Sequence, residues 1–419
     1  MKDRFNFLLN RIGERLWIKP LIMCLISISI VFLAHLADQT QLGQRFPEVS
    51  KESIETLLTI ISSSMLVIAT FAAGSMVSAY ASTSRTTTPR SFALVVSDDV
   101  SQNALSVFIG VFIFSIVALI ALKNHYYGEA GSFSLFILTL TAFALVIITF
   151  VRWVDRIARL GRLEETIEKV EKATHDALQK RLNAPCLRGS QIKPPDETTV
   201  PIYGEQIGYV QRVDIEKLQA AAETAQLTVI VEALPGTFSV PGRKLASVRG
   251  DHNDLSKLDT AAITAGFLIG NDRKFDEDPR FGLIVLSEIA SRALSPAVND
   301  PGTAIDIIGR MIRLFSYWGE NHTQKTTESP LFDRVQVPEL SIQDMFGDAF
   351  TSLSRDGAGM VEVAVRLQKA FEALTISQDP AIQKLSKIYA QMALERQKSA
   401  LQHPHDLELV KEHSKFINE

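Results

Sequence analysis

Cysteine is nearly absent from the chain: Cys24, inside an apolar run, and Cys186, in a linker, are the two in 419 residues. They offer neither a disulfide framework nor metal-ligand spacing, and a reducing cytoplasm suits the later part of the chain. Charge of one sign is lacking as well. The net charge is −4, and no dense basic cluster follows the first third, so nucleic acid is excluded from the expected partners. A Walker loop, a dinucleotide fingerprint, a nucleophile elbow and a zinc-protease helix are all missing. The expectation is therefore of no enzymatic activity, no cofactor and no metal.

The residues that come nearest to a reactive cluster have simpler readings. Asp251-His252-Asn253-Asp254 has metal-binding residue types but the composition of a polar surface turn. His403-Pro404-His405 has only Asp406 as a nearby acidic partner. Asp278 and Asp300 each precede a proline that opens a helix, so capping accounts for them better than an acid–base pair does.

What the chain has in abundance is long uncharged runs. Pro20–Ala37 (18 residues), Thr56–Ser84 (29), Val100–Leu122 (23) and Ala130–Val151 (22) occupy its first third. Crossing a hydrocarbon core of ~30 Å takes about 20 residues of helix. Helices are expected, because lipid forces the backbone to satisfy its own hydrogen bonds and the runs lack barrel-strand alternation. The first run is longer than a usual signal-peptide core and no convincing small-residue cleavage site precedes Asp38, so it is read as a retained span. Lys2, Arg4, Arg11, Arg15 and Lys19 precede the first run, Arg85 and Arg90 follow the second, and Arg152, Arg156, Arg159 and Arg162 follow the fourth. The other connections are poorer in basic residues, which predicts that both termini are cytoplasmic. Phe5, Leu8, Leu9, Ile12 and Leu16 recur at helical spacing among basic residues, as in an interfacial amphipathic helix; an extension of the first span is the alternative.

The second run differs from the rest. As one helix it is ~43 Å long, more than the bilayer core needs. Thr70, Gly74, Ser78 and Ser82 recur every four residues along it. Such a stripe serves close helix packing with hydrogen bonds across the contact, or else it faces water in an oligomer and lines a conduction path. In the second case Arg85 and Arg90 stand at the cytoplasmic mouth and draw small ions, anions above all. The four runs contain no Asp, Glu, Lys or Arg, so coupled transport through intramembrane charges loses its usual sign. Pro89 predicts a break and a short elbow before the third span.

Leu160, Leu163, Ile167, Val170, Thr174 and Ala177 follow 3-4 spacing, which predicts a helical stalk that either self-associates or packs on the protein's own domain. Pro185 and Pro194-Pro195 mark its end and a linker. Strands are expected at Ile207–Val210, Thr228–Ala233 and Phe238–Val240, with one helix at Ile215–Thr224. Gly236-x-Phe238-x-Val240-x-Gly242-x-x-Leu245 resembles half of a biotinyl or lipoyl hairpin, but no lysine occupies the expected tip context. The remainder reads as mainly helical: Pro279–Leu294, Pro301–Trp318, Ile342–Leu353, Ala358–Leu374, Pro380–Leu401 and a last helix from Asp406. Between the first two of these, Ser295, Asn299 and Asp300 belong to a turn that is either a capped helix connection or a ligand site at a helix N-terminus.

Four passages carry a resemblance: Thr88-Pro89-Arg90, Gly110-Val111-Phe112, Asp278-Pro279-x-Phe281-Gly282, and Ala293-Leu294-Ser295-Pro296-Ala297-Val298-Asn299-Asp300-Pro301-Gly302-Thr303-Ala304. Through them and the order of its parts, nearly the whole chain resembles the bacterial membrane family catalogued as domain of unknown function 2254. The resemblance implies four spans and a cytoplasmic region; it implies no activity, substrate or catalytic residue. This chain has Ala297 where the family often has Gly, and Gly302 where it often has a bulky residue.

The expected architecture is a membrane α-helical bundle of four transmembrane helices followed by a cytoplasmic α+β domain with a small β-unit and a helical C-terminal part. Residues 1–158 form the membrane region, 159–199 the stalk and linker, and 200–419 the cytoplasmic domain. The expected location is the bacterial inner membrane, with the lipid bilayer and further copies of the chain as partners. Two functions stand: a homo-oligomeric ion-conducting pore lined by the second span, and a membrane-anchored interaction or sensory module.

Overall fold

Each uncharged run forms one helix in the computed structural model. These helices are α1 (Ile18–Leu36), α2 (Lys51–Thr86), α4 (Asp99–Lys123) and α5 (Glu129–Ile157), with the short α3 (Phe92–Val96) between the second and third. The structure describes residues 17–36, 47, 49–86, 88–96, 99–159, 161–192, 199–251, 259–322 and 330–418. The interfacial helix expected before residue 17, Leu160, the Pro194-Pro195 stretch and His252, Asn253 and Asp254 lie outside these. The chain divides into two units, Met1–Thr166 and Ile167–Glu419.

In the first unit α4 is the central helix: 44% of its most apolar window is buried, against 17%, 22% and 17% for the other three. Ala104, Phe108, Val111 and Ala118 put its buried side chains at helical spacing. A β-carbon at Gly110 would lie 3.1 Å from Met23 Cβ and 3.3 Å from Ser27 Oγ, so glycine allows α1 and α4 to approach closely. Between α2 and α3 the chain turns at Pro89, where Ser91 donates to the Thr88 carbonyl through N–H (3.2 Å) and Oγ (2.8 Å). Far from the elbow, Tyr127 Oη donates to Val31 O at 2.8 Å and ties the α4–α5 connection to α1.

The second unit starts within α6 (Leu163–Asn183), the expected stalk helix. Ile167, Val170, Thr174 and Ala177 are buried in the single chain, so this stripe packs on the protein's own domain. Strands follow: β1 (Gly189–Gln191), β2 (Val200–Tyr203), β3 (Gly208–Val213), β4 (Thr228–Val231), β5 (Phe238–Ser239), β6 (Lys244–Arg249), β7 (Phe267–Gly270) and β8 (Phe332–Val337). One sheet has the order β1-β8-β4-β6-β2, with β8 parallel to β1 and β4; the other is the antiparallel β5-β3-β7. Helices α7 (Ile215–Ala225) and α8 (Thr260–Thr264) accompany them, and α7 packs on β8 and β4. Val210, Leu218, Val229, Val231, Val248 and Val335 lie at the centre of this core.

The expectation of a small β-unit with a single helix is corrected here: β1, β2, β6, β7 and β8 all fall in stretches not read as strand. In β6, Leu245, Ala246, Ser247 and Val248 are buried in succession, so no alternation marks it, and Val248 is its single β-branched residue. In β8 the polar Gln336 is buried with its neighbours Val335 and Val337. Tertiary pairing, not local pattern, makes both strands.

The helices at the end run as α9 (Pro279–Ala293), α10 (Pro301–His322), α11 (Ile342–Asp356), α12 (Val361–Leu374), α13 (Pro380–Ala400) and α14 (Pro404–Glu412). Their shared core is aromatic: Phe315 lies 4.6 Å from Phe346 and 5.5 Å from Phe350, and Phe350 lies 5.0 Å from Phe371, between ring centroids. Asp278, Ser341 and Asp379 cap α9, α11 and α13 through their side chains.

Candidate functional site

The face of α2 singled out by spacing has a distinctive environment. Ile54, Leu58, Ile61, Met65, Ala69, Ala72 and Met76 are buried and face the bundle. Thr70, Gly74, Ser78 and Ser82 are exposed on the opposite side, and nothing lies within 4 Å of a β-carbon placed at Gly74. Among the described residues of the single chain no other helix packs on the stripe at Gly74, which leaves packing against another copy and the facing of water as its two readings. Further along the same exposed side lie Thr56, Thr59 and Ser63. Their hydroxyls fold back on the helix: Thr56 donates to Glu52 O, Thr59 to Glu55 O, Ser63 to Thr59 O and Thr70 to Leu66 O, at 2.8–2.9 Å. Such hydroxyls keep lone pairs directed outward as acceptors while their protons are satisfied.

Arg85 belongs to the last turn of α2, and its side chain lies outside the described residues. Arg90 is exposed at the elbow, beside the buried Thr88 and Ser91.

At the turn between α9 and α10 the geometry is that of a closed connection. Asn299 N–H donates to Ser295 O and Asp300 N–H to Ala293 O, both at 2.8 Å. Asn299 has φ +50°, a left-handed conformation that asparagine tolerates better than most residues. Asp300 accepts from Thr303 N–H (3.1 Å) and from Thr303 Oγ1 (2.5 Å). Those hydrogen bonds hold its carboxyl below the usual carboxylate range. The carboxylate of Asp300 thus occupies the place where an anion would meet the first turn of α10. Asp278 and Asp300 stand at opposite ends of the 15-residue α9, about 22 Å long, so they are not brought together.

Two arrangements escaped the sequence. The first is a set of polar contacts in the second unit around two buried charges, Asp278 and Arg181. Asp278, 2% exposed, accepts from Arg273 Nε at 2.7 Å and from Phe281 N–H at 3.2 Å. Burial pushes its carboxyl above the usual range, against the pull of Arg273. Arg181, 4% exposed, donates through Nη2 to Pro338 O at 3.4 Å, and burial lowers its pKa against the nearby Cys186, Glu277, Asp278 and Glu339. Lys180 pairs with Glu277 at 2.6 Å, Gln191 Nε2 donates to Glu339 at 2.8 Å, and His322 Nδ1 lies 3.1 Å from Asp379. These contacts join the strand region to α6, α9 and the later helices. Nothing in the spacing of Arg181 separates it from the solvated charges of a stalk.

The second is a cavity of about 530 Å³ beside β2 and α8, lined by Tyr203, Glu205, Gln206, Thr260, Thr264 and Phe267 among others. Among the described residues no three His, Cys, Asp or Glu side chains gather as metal ligands.

Two passages that carried the resemblance prove to be packing devices. Gly282 lies against α6, where an added β-carbon would fall 1.9 Å from Thr174 Oγ1, and Gly110 lies against α1. The long passage from Ala293 to Ala304 forms the closed turn described above.

Uncharacterized proteins of Mycobacterium bovis and Mycobacterium tuberculosis are 30% identical to the chain over 121 residues, which is 27% of this chain and 22% of each relative. The match therefore spans about a fifth of the length of these curated relatives. No solved structure matches the chain. The family described as "Predicted membrane protein (DUF2254)" matches residues 13–373, most of the sequence. The chain belongs to that family of predicted membrane proteins.

Proposed function

We propose that this is a multi-pass protein of the bacterial inner membrane, with both termini cytoplasmic, whose copies assemble so that α2 lines an ion-conducting path. Membrane placement draws support from the outer surface of the first unit. Leu25, Phe32, Leu33, Ile148 and Val151 are each 55–64% exposed there, an apolar area that a water-soluble surface rarely carries. An apolar recess of about 500 Å³, lined by Ile30, Leu33, Phe133, Ile137 and Leu138, suits an acyl chain.

The observation that carries the pore is the outward face of α2: Ile54, Leu58, Met65 and Ala72 turn to the bundle, while Thr70, Gly74, Ser78 and Ser82 face outward together with Val67 and Phe71. Copies arranged with these faces toward a common axis would present Thr70, Ser78 and Ser82 to water beside the apolar Val67 and Phe71, with basic residues at the cytoplasmic end to favour anions. The test is ion flux through the purified protein in liposomes. Wild-type protein conducts, and Gly74→Leu or Ser78→Leu closes the path; flux unchanged in both variants refutes the lining assignment.

One observation favours the second reading, a sensory module anchored by its spans: the 530 Å³ cavity falls in the size range of small-molecule sites. On that reading the full chain binds a small molecule at Tyr203 and Phe267 without conducting.

A further inference from the structure

The antiparallel β3–β5 pair ends in an exposed tip that combines apolar and cationic side chains. Gly208 pairs with Ser239, so the next residues outward, Ile207 and Val240, are neighbours. They are 66% and 38% exposed, and Phe238, 43% exposed, stacks edge-on against Tyr209 with ring centroids 4.9 Å apart. A tight turn, closed by Arg243 N–H donating to Val240 O at 2.9 Å, brings the exposed Arg243 and Lys244 directly after this apolar group. Gly204 N–H donates to Arg243 O at 3.2 Å and fastens the 204–207 loop to the same tip. Tyr203, 46% exposed, pairs in register with Lys244. Glu205 is the acidic residue of that loop and is also exposed.

Aromatic and aliphatic side chains beside lysine and arginine are the composition of membrane-interface elements. The apolar groups enter the headgroup boundary while the cations meet anionic lipid. A protein partner would explain the apolar patch equally well, but the paired cations favour an anionic surface. The family and the four apolar helices keep such a surface on the same chain.

We infer that the tip formed by Ile207, Phe238, Val240, Arg243 and Lys244 docks on the anionic headgroup surface of a bilayer. This rests on the membrane placement proposed above. Each cation near an anionic surface strengthens such docking about fivefold, so loss of both weakens it about 25-fold.

The experiment uses the full chain with a nitroxide at Val240→Cys, in a background with Cys24 and Cys186 replaced by Ser, reconstituted in nanodiscs. In nanodiscs containing phosphatidylglycerol the label becomes shielded from a water-soluble nickel relaxant and open to oxygen. It returns to water in the Arg243→Glu/Lys244→Glu variant and at high salt. A label equally aqueous in anionic nanodiscs, neutral nanodiscs and detergent overturns the docking while leaving membrane placement intact. Shielding that persists in detergent overturns it in favour of a protein contact. Failure of the chain to enter nanodiscs overturns the membrane placement instead.

Discussion

Replacing Gly282 by Ala tests whether the close crossing of α6 and α9 depends on a missing side chain. The added β-carbon would lie 1.9 Å from Thr174 Oγ1, 2.8 Å from its Cβ and 3.0 Å from its Cγ2, so its three nearest contacts are all with one buried residue. Thr174 cannot simply rotate away, because its hydroxyl donates to Val170 O at 2.6 Å. Ordinary contact begins near 3.5 Å, so either the two helices separate or Thr174 leaves its rotamer. Overpacking of this kind costs about 1–3 kcal/mol, partly offset by the gain of ~0.5–1 kcal/mol from Ala in place of Gly in a helix. A net loss of about 1–2 kcal/mol lowers the melting temperature of a domain this large by about 2–8 °C. Thermal unfolding of the purified full chain measures it, with Thr174→Ala as the companion variant. The double variant removes two of the three clashes and regains most of the loss, a coupling of about 1 kcal/mol. Gly282→Ala unfolding at the wild-type temperature, or a loss that Thr174→Ala leaves untouched, would refute the packing account.

Asp300→Ala removes the cap of α10 and costs about 1 kcal/mol, whereas Asp300→Asn keeps an acceptor for Thr303 N–H and costs less; chemical unfolding separates the two. Because the folded carboxyl of Asp300 sits below its unfolded value of 3.8, its contribution is present above that pH and fades as pH falls through the folded value. Asp278 behaves oppositely: burial raises it, so its contribution is complete below 3.8 and declines as pH rises through the folded value, and Asp278→Asn removes that part of the pH dependence. Cysteines placed at Lys2 and at Glu419 are predicted to react with impermeant maleimide only from the cytoplasmic side of intact spheroplast membranes; labelling from outside contradicts the orientation drawn from the basic residues.

The helical framework was legible because long uncharged runs and capped, 3.6-periodic segments are local signals. Asp278-Pro279 and Asp379-Pro380 place a cap and a first-turn proline in adjacent residues, and both helices start where those pairs stand. The strands were less legible. β8 is separated by roughly a hundred residues from its partner β4 and carries Asp333, Arg334 and Gln336, so its pairing is invisible in local composition. The stripe on α2 was visible as spacing, but its direction was not, since only the packed bundle decides which face of a helix is left over. Arg181 was hidden for the opposite reason: a charge on a polar helix reads as solvated until the elements that bury it are in place. Gly282 and Gly110 carried the resemblance, and it took the packed helices to show why glycine stands there.

The proposal that α2 lines a conduction path is tested most directly by substituted-cysteine block of ion flux in liposomes. Gly74→Cys, on the outward face, is compared with Leu145→Cys, 44% exposed on α5. A charged, water-soluble thiosulfonate reagent is predicted to abolish flux in the Gly74→Cys protein and to leave wild type and Leu145→Cys unchanged. Flux in Gly74→Cys that survives the reagent, or no flux in any of the three proteins, contradicts it.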